Sequence, residues 1–195
     1  VYAVLLALSV PFVPSGPQGL AESAVERLLL ADAVAAAKLG TGKPITDAAR
    51  ERELLDAVAA LSARIGLSPE LGTRFFRAQI EAGKAVQRGL HARWRSYGER
   101  PPGRRPDLAG EIRPRLDRLT PRLLRRLRQV EPLRANPVRC AAVMDAAGRA
   151  AGARAGLDAL HRDALRQALV PVCARPWPQS TPSPAPPVSG AARLR

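Results

Sequence analysis

Aromatic residues make up only 4% of this 195-residue chain, so a core has to be assembled from Leu, Ala and Val rather than from rings. Cysteine is scarce as well, with only Cys140 and Cys173 present. The two histidines, His91 and His161, stand at no ligand spacing with them, which argues against a metal site; no cofactor is expected. No Ser or Cys sits in a recognisable triad context, so hydrolysis by a nucleophile fits poorly. The glycine-rich Gly40–Pro44 is not a phosphate loop: that pattern needs Gly where Ala37 stands and Ser or Thr where Pro44 stands. Acidic residues are the minority charge, 17 against 31 basic, giving a net charge of +14. Such a surplus attracts anions in general, whether nucleic acid, acidic membrane or small polycarboxylates, and composition does not choose among them.

Long apolar runs are also missing. The longest, Val1–Val13 (VYAVLLALSVPFV), is too short to span a bilayer, so no stable membrane anchor is expected. It looks like the apolar part of a secretory signal peptide, although no positive residue and no Met precede it. Residues 1–21 are accordingly expected to be a leader, with cleavage between Gly16 and Ala24.

What is present is helix-forming. The stretch Arg27–Lys38, RLLLADAVAAAK, holds Leu and Ala without Gly or Pro. Its two cations lie eleven residues apart, roughly three helical turns, hence on one face about 16 Å apart. Leu30, Ala31 and Val34 lie between them. Two cations turned inward along such a stripe would be unusual; the ordinary alternative is that both reach outward to water. The first helix is expected over about Glu22–Lys38, and Gly40–Pro44 ends it. The second runs from an N-cap at Thr46 or Asp47 to about Ile65, with Leu54, Leu55, Val58, Leu61 and Ile65 inward. In it, Asp47 and Arg50 stand at the spacing of a surface ion pair.

Ser68 followed by Pro69 starts a third helix, to about Arg95. Its apolar positions are Leu71, Phe75, Phe76, Ile80, Val86, Leu90 and Trp94. Gln79, Gly83 and Gln87 form a polar or small stripe at every fourth position. Gly83 within a helix costs about 1 kcal/mol against Ala, which suggests either a close approach by another group or tolerance. After the loop Ser96–Pro106, a further helix from Asp107 should carry Pro114 in a first turn and a kink or break at Thr120–Pro121. Arg122, Arg125, Arg126 and Arg128 read as a solvated face. Two short helices, about Val138–Ala151 and Leu157–Val170, finish the domain. Cys140 and Cys173 bracket them, either as a disulfide or as two buried thiols. The Pro-rich residues 175–195 are expected to be a disordered tail.

The runs RLLLADAVAAAK, PITDAARE, FFRAQIEAGKAVQ and DLAGEIRPRLD, taken together and in order, resemble the secreted chorismate mutases of the all-helical type. The resemblance spans residues 22–174, and the cysteine pair is similar to that of the secreted branch. It implies an all-α fold, a single domain of about six helices with the active site between helices of one chain. It implies Arg27 and Arg113 as cations for the substrate carboxylates, and Lys38 and Gln87 as donors to the ether oxygen. Asp47, Arg50 and Glu51 match the D-x-x-R-E group, with Glu51 reaching the substrate hydroxyl. Gly83 departs from the short polar side chain usual there, and Leu39 from a frequent Trp. Chorismate is then the small-molecule partner, nucleic acid is not expected as one, and a homodimer is in keeping with helical relatives. A periplasmic or secreted location follows.

The chemistry suits these residues. Rearrangement of chorismate to prephenate is intramolecular and needs no nucleophile, base or metal. It needs a compact conformer held in place and stabilisation of negative charge growing on the ether oxygen. Arginine forks suit carboxylates, and an ammonium with an amide suits one oxygen. The competing readings are a basic helical module that binds nucleic acid or an anionic surface, and a family member that binds without turnover.

Overall fold

The computed structural model describes residues 15–98, 101 and 103–174; the leader-like run Val1–Val13 and the tail from Arg175 lie outside them. Six α-helices follow in order: α1 (Gly16–Lys38), α2 (Ala48–Arg64), α3 (Pro69–Tyr97), α4 (Arg113–Val130), α5 (Pro137–Arg154) and α6 (Ala159–Leu169). No strand occurs among the described residues. The fold is all-α, as the composition implies.

Helix α1 is the axis. It packs against α3, α4, α5 and α6, while α2 lies against α3 and α4. Its buried residues, among them Leu20, Ala21, Ala24, Leu28, Ala31 and Ala35, point to several sides, as a helix surrounded by others requires. Alanine's small side chain lets the neighbours approach closely. The rings then pack where α3 meets this axis: Phe75 and Phe76 are fully buried and edge-to-face.

Three boundaries differ from expectation. Helix α1 begins at Gly16 rather than Glu22, because Gly16 supplies a positive φ at the entry and a proline occupies the first turn. Leu20 and Ala21 are thereby core residues, within the window expected for cleavage. Ahead of α4, Leu108–Ile112 forms a single π-helical turn, capped by Asp107, which accepts from Ala109 N. And α4 runs unbroken through Pro121, although Pro114 does sit in its first turn. Pro121 removes one backbone bond, but the carbonyl it frees belongs to the exposed Asp117. Leu119, Leu123, Leu124 and Leu127 bury the inward face on both sides of it. Cys140 and Cys173 form a disulfide joining the start of α5 to the turn after α6. No helix among the described residues is long and apolar enough to cross a membrane.

Candidate active site

Helices α1, α2, α3 and α4 leave a cavity of about 170 Å³ between them. All eight residues singled out in the sequence line it: Arg27 and Lys38 from α1, Asp47, Arg50 and Glu51 from the start of α2, Gly83 and Gln87 from α3, and Arg113 from the start of α4. Leu30, Ala31 and Val34 of the α1 stripe line it too, so the eleven-residue spacing does place both cations on the cavity face. All these groups come from one chain.

Arg27 is only 9% exposed. Its guanidinium lies 5.5 Å from the centre of the Phe76 ring, a cation–π arrangement. Its Nε and Nη1 atoms are buried and have no hydrogen-bond partner among the described residues. Burial pulls its pKa down to about 10, against the opposing charge of Asp117. It is still a cation at neutral pH. Buried charged donors left open cost several kcal/mol unless an anion meets them.

Lys38 is half-buried at the C-terminus of α1. Its ammonium donates to the carbonyls of Pro44, at 2.8 Å, and Ile45, at 2.9 Å. The connector between α1 and α2 therefore folds back over the helix end, with Gly40 and Gly42 supplying the positive φ angles that the reversal needs. An ammonium has three donors, so one remains for the cavity. Partial burial holds the Lys38 pKa below the usual lysine value; Asp47 opposes this shift, Arg113 adds to it and Glu51 opposes it.

Asp47 and Arg50 do not form the ion pair their spacing allows. Asp47 is the N-cap of α2 and accepts from Arg50 N at 3.1 Å. The Arg50 guanidinium instead meets Glu53 at 3.2 Å and Asp117 at 3.1 Å. Gln87 is buried; its Nε2 donates to Gly83 O at 3.2 Å, which leaves one N–H, and its Oε1 has no partner among the described residues. Gly83 answers to no close approach. A Cβ there would meet only the Ala31 Cβ, at 3.9 Å, an ordinary contact. Gln79 also lines the cavity, but donates to Ala168 O at 3.1 Å and so ties α3 to α6.

Two charged lining residues escaped the sequence reading, Lys84 and Asp117. Lys84 meets both oxygens of Glu51, at 3.1 and 3.2 Å. Its spacing from Gln87, one turn away on α3, is the signal that could have found it. Five cations (Arg27, Lys38, Arg50, Lys84 and Arg113) face three carboxylates (Asp47, Glu51 and Asp117) around the cavity. Two of these cations also meet carboxylates outside the lining, Arg50 with Glu53 and Lys84 with Glu81, so Arg27, Lys38 and Arg113 are the lining cations without a carboxylate partner among the described residues. No group of acids, histidines or cysteines suited to a metal occurs among the described residues.

Comparison with known proteins shows what the chain is similar to. Residues 19–88 match the family model described as chorismate mutase type II. A secreted chorismate mutase of Mycolicibacterium smegmatis is 32% identical over 163 residues, covering 84% of this chain and 86% of that protein. A secreted chorismate mutase of Mycobacterium tuberculosis is 32% identical over 178 residues, covering 87% and 88%. Among solved structures, a chorismate mutase from Burkholderia thailandensis superposes with a TM-score of 0.77 at 38% identity, over 80% of this chain and 98% of the other. One from Burkholderia phymatum gives 0.76 at 38% identity, over 80% and 94%.

Proposed function

The chain belongs to the secreted chorismate mutase family, and we propose that the cavity between α1, α2, α3 and α4 is where it turns chorismate into prephenate. It is an isomerase: the ether C–O bond breaks, a C–C bond forms within the same molecule, and no proton, electron or second reactant is exchanged. Arg27 and Arg113 hold the two carboxylates, which fixes the compact conformer in which the reacting carbons meet. Lys38 and Gln87 donate to the ether oxygen. Their bonds strengthen as that oxygen gains charge, so they favour the transition state over the substrate. Glu51 accepts from the hydroxyl, Asp47 caps the helix that carries it, and Arg50 adds positive charge beside Asp117. Gly83 contributes its main chain only.

The observation that carries this reading is Arg27: a buried guanidinium with two open donor atoms in a cavity that also holds Lys38 and Arg113, cations with no carboxylate partner among the described residues. Similarity over most of the chain favours an enzyme over a basic surface-binding module. The enzyme acts in the periplasm or outside the cell, and the apolar run at residues 1–13 serves as its export signal. Removal of a leader ahead of Leu20 leaves the core whole. Since the cavity is lined by one chain, pairing of two copies would leave each with its own site.

The test is the loss of chorismate absorbance on adding purified protein. Lys38→Ala and Arg113→Ala are each expected to abolish turnover while far-UV circular dichroism stays unchanged. A near-normal rate in either variant would remove that residue from the chemistry.

A further inference from the structure

Glu51 poses an electrostatic problem. A carboxylate in a cavity for a dianion has the wrong sign, and at short range it repels what the arginines attract. The structure supplies the answer in a residue that the reaction itself does not require. Lys84 is 8% exposed and sits on α3 one helical turn before Gln87. Its Nζ lies 3.1 and 3.2 Å from the two oxygens of Glu51 and 2.6 Å from Oε1 of Glu81. Glu81, on the open side of the same helix, would satisfy a surface lysine by itself. The side chain is instead turned in toward α2, where it spans the two helices that frame the cavity.

We propose that Lys84 is a positioning residue for the mutase reaction: it neutralises Glu51 and fixes its carboxylate so that a free lone pair faces the substrate hydroxyl. This rests on the assignment of Glu51 to that hydroxyl. The stereochemistry allows it, because a carboxylate offers about four acceptor sites and one ammonium uses two of them. Charge allows it as well. With Lys84 present Glu51 has a counter-ion at 3.1 Å; without it, Glu51 is left to oppose the ligand. Burial works against a charged Lys84, but Glu81 and Glu51 outweigh that effect, so its pKa lies above the usual lysine value. It remains an ammonium over the whole range in which the enzyme would work.

The experiment is a double-mutant cycle on the full chain, read as kcat and KM. Lys84→Met should lower kcat/KM about ten- to a hundredfold, mainly through KM, since the hydroxyl contact serves substrate and transition state alike. Lys84→Gln should do the same and guards against a folding failure of the more apolar variant. Lys84→Arg should keep most of the activity. Glu51→Gln should also lose activity, and Lys84→Met in that background should cost nothing more, because the one carboxylate left beside Lys84, Glu81, lies on the open side of α3 and not in the cavity. Losses that multiply in the double variant would overturn the proposal, as would Lys84→Met and Lys84→Gln both within about twofold of the parent. A Glu51→Gln enzyme at the parental rate would overturn it from beneath, by withdrawing Glu51 from the substrate; Lys38→Ala, still inactive, would show that the rest of the site reading survives.

Discussion

At the scale of single residues the site is a set of donors whose charge states differ in sensitivity to pH. Gln87 donates at any pH, where a carboxylic acid in its place would donate only when protonated. Lys38 is the donor that titrates, and burial sets its pKa below that of a free lysine. The pH dependence follows in sign: turnover should stay level from about pH 5 to 8 and then fall as Lys38 deprotonates, earlier than an exposed lysine would. A pH–rate profile checks this, and a decline governed by one ionisation inside pH 5–8 would contradict it. Sequence spacing reveals the residues of this set that share a face with their own helix, as Arg27 and Lys38 do. Lys84 was hidden for the complementary reason. Its inward turn is dictated by Glu51, 33 positions away on another helix, and on its own helix it has an ordinary partner in Glu81.

At the scale of elements, the clearest device is the clasp between α1 and α6. His161 is 6% exposed. Its Nδ1 pairs with Asp158 at 2.6 Å and its Nε2 with Asp32 at 2.8 Å. Hydrogen bonding to Asp32, opposed by burial and reinforced by Asp158, raises its pKa from 6.5 to about 9. A raised pKa in the folded state means that the stability it brings is fully present below about pH 6.5 and is lost as pH rises through about 9. Thermal unfolding of the protein and of His161→Gln should show a gap of about 1–2 kcal/mol near pH 6, reduced because both carboxylates are partly open to water, that closes by pH 10. A gap independent of pH would mean that shape, not charge, holds the clasp. Helices themselves were legible wherever caps were clear: Asp47 and Ser68 mark the starts of α2 and α3 as their chemistry predicts. Pro121 was misleading, since the cost of a lost backbone bond is local, whereas the leucine face that outweighs it is completed only by tertiary contact.

At the scale of the whole molecule, the cavity and the disulfide occupy different halves. The cavity is built from α1 to α4, whereas Cys140–Cys173 fastens α5 to the turn after α6, closing a loop of 33 residues. Replacing both cysteines with serine should therefore lower unfolding free energy by about 3–4 kcal/mol and leave KM for chorismate unchanged in the protein that remains folded. Denaturant unfolding and steady-state kinetics on the same sample test both parts. A changed KM would mean that α5 and α6 transmit strain into the cavity through α1. The all-α class and the order of the helices could be read from the chain because they follow from periodicity and caps; eight of the cavity's residues were named by the resemblance, whereas Lys84 and Asp117 were not. The start of α1 could not, because an apolar run ahead of it and a helix core look alike until Leu20 and Ala21 are seen enclosed by their neighbours.

The way Lys38 holds the connector has a consequence for how this enzyme can vary. Its ammonium grips the carbonyls of Pro44 and Ile45, groups that every amino acid possesses. The bend is thus read by its path and not by its letters. Most substitutions between Lys43 and Thr46 would pass unnoticed by the ammonium, whereas a one-residue insertion would carry both carbonyls away and free the lysine to wander. As far as this grip is concerned, drift in length along the strip is forbidden and drift in identity is not, save that Ile45 also lines the cavity.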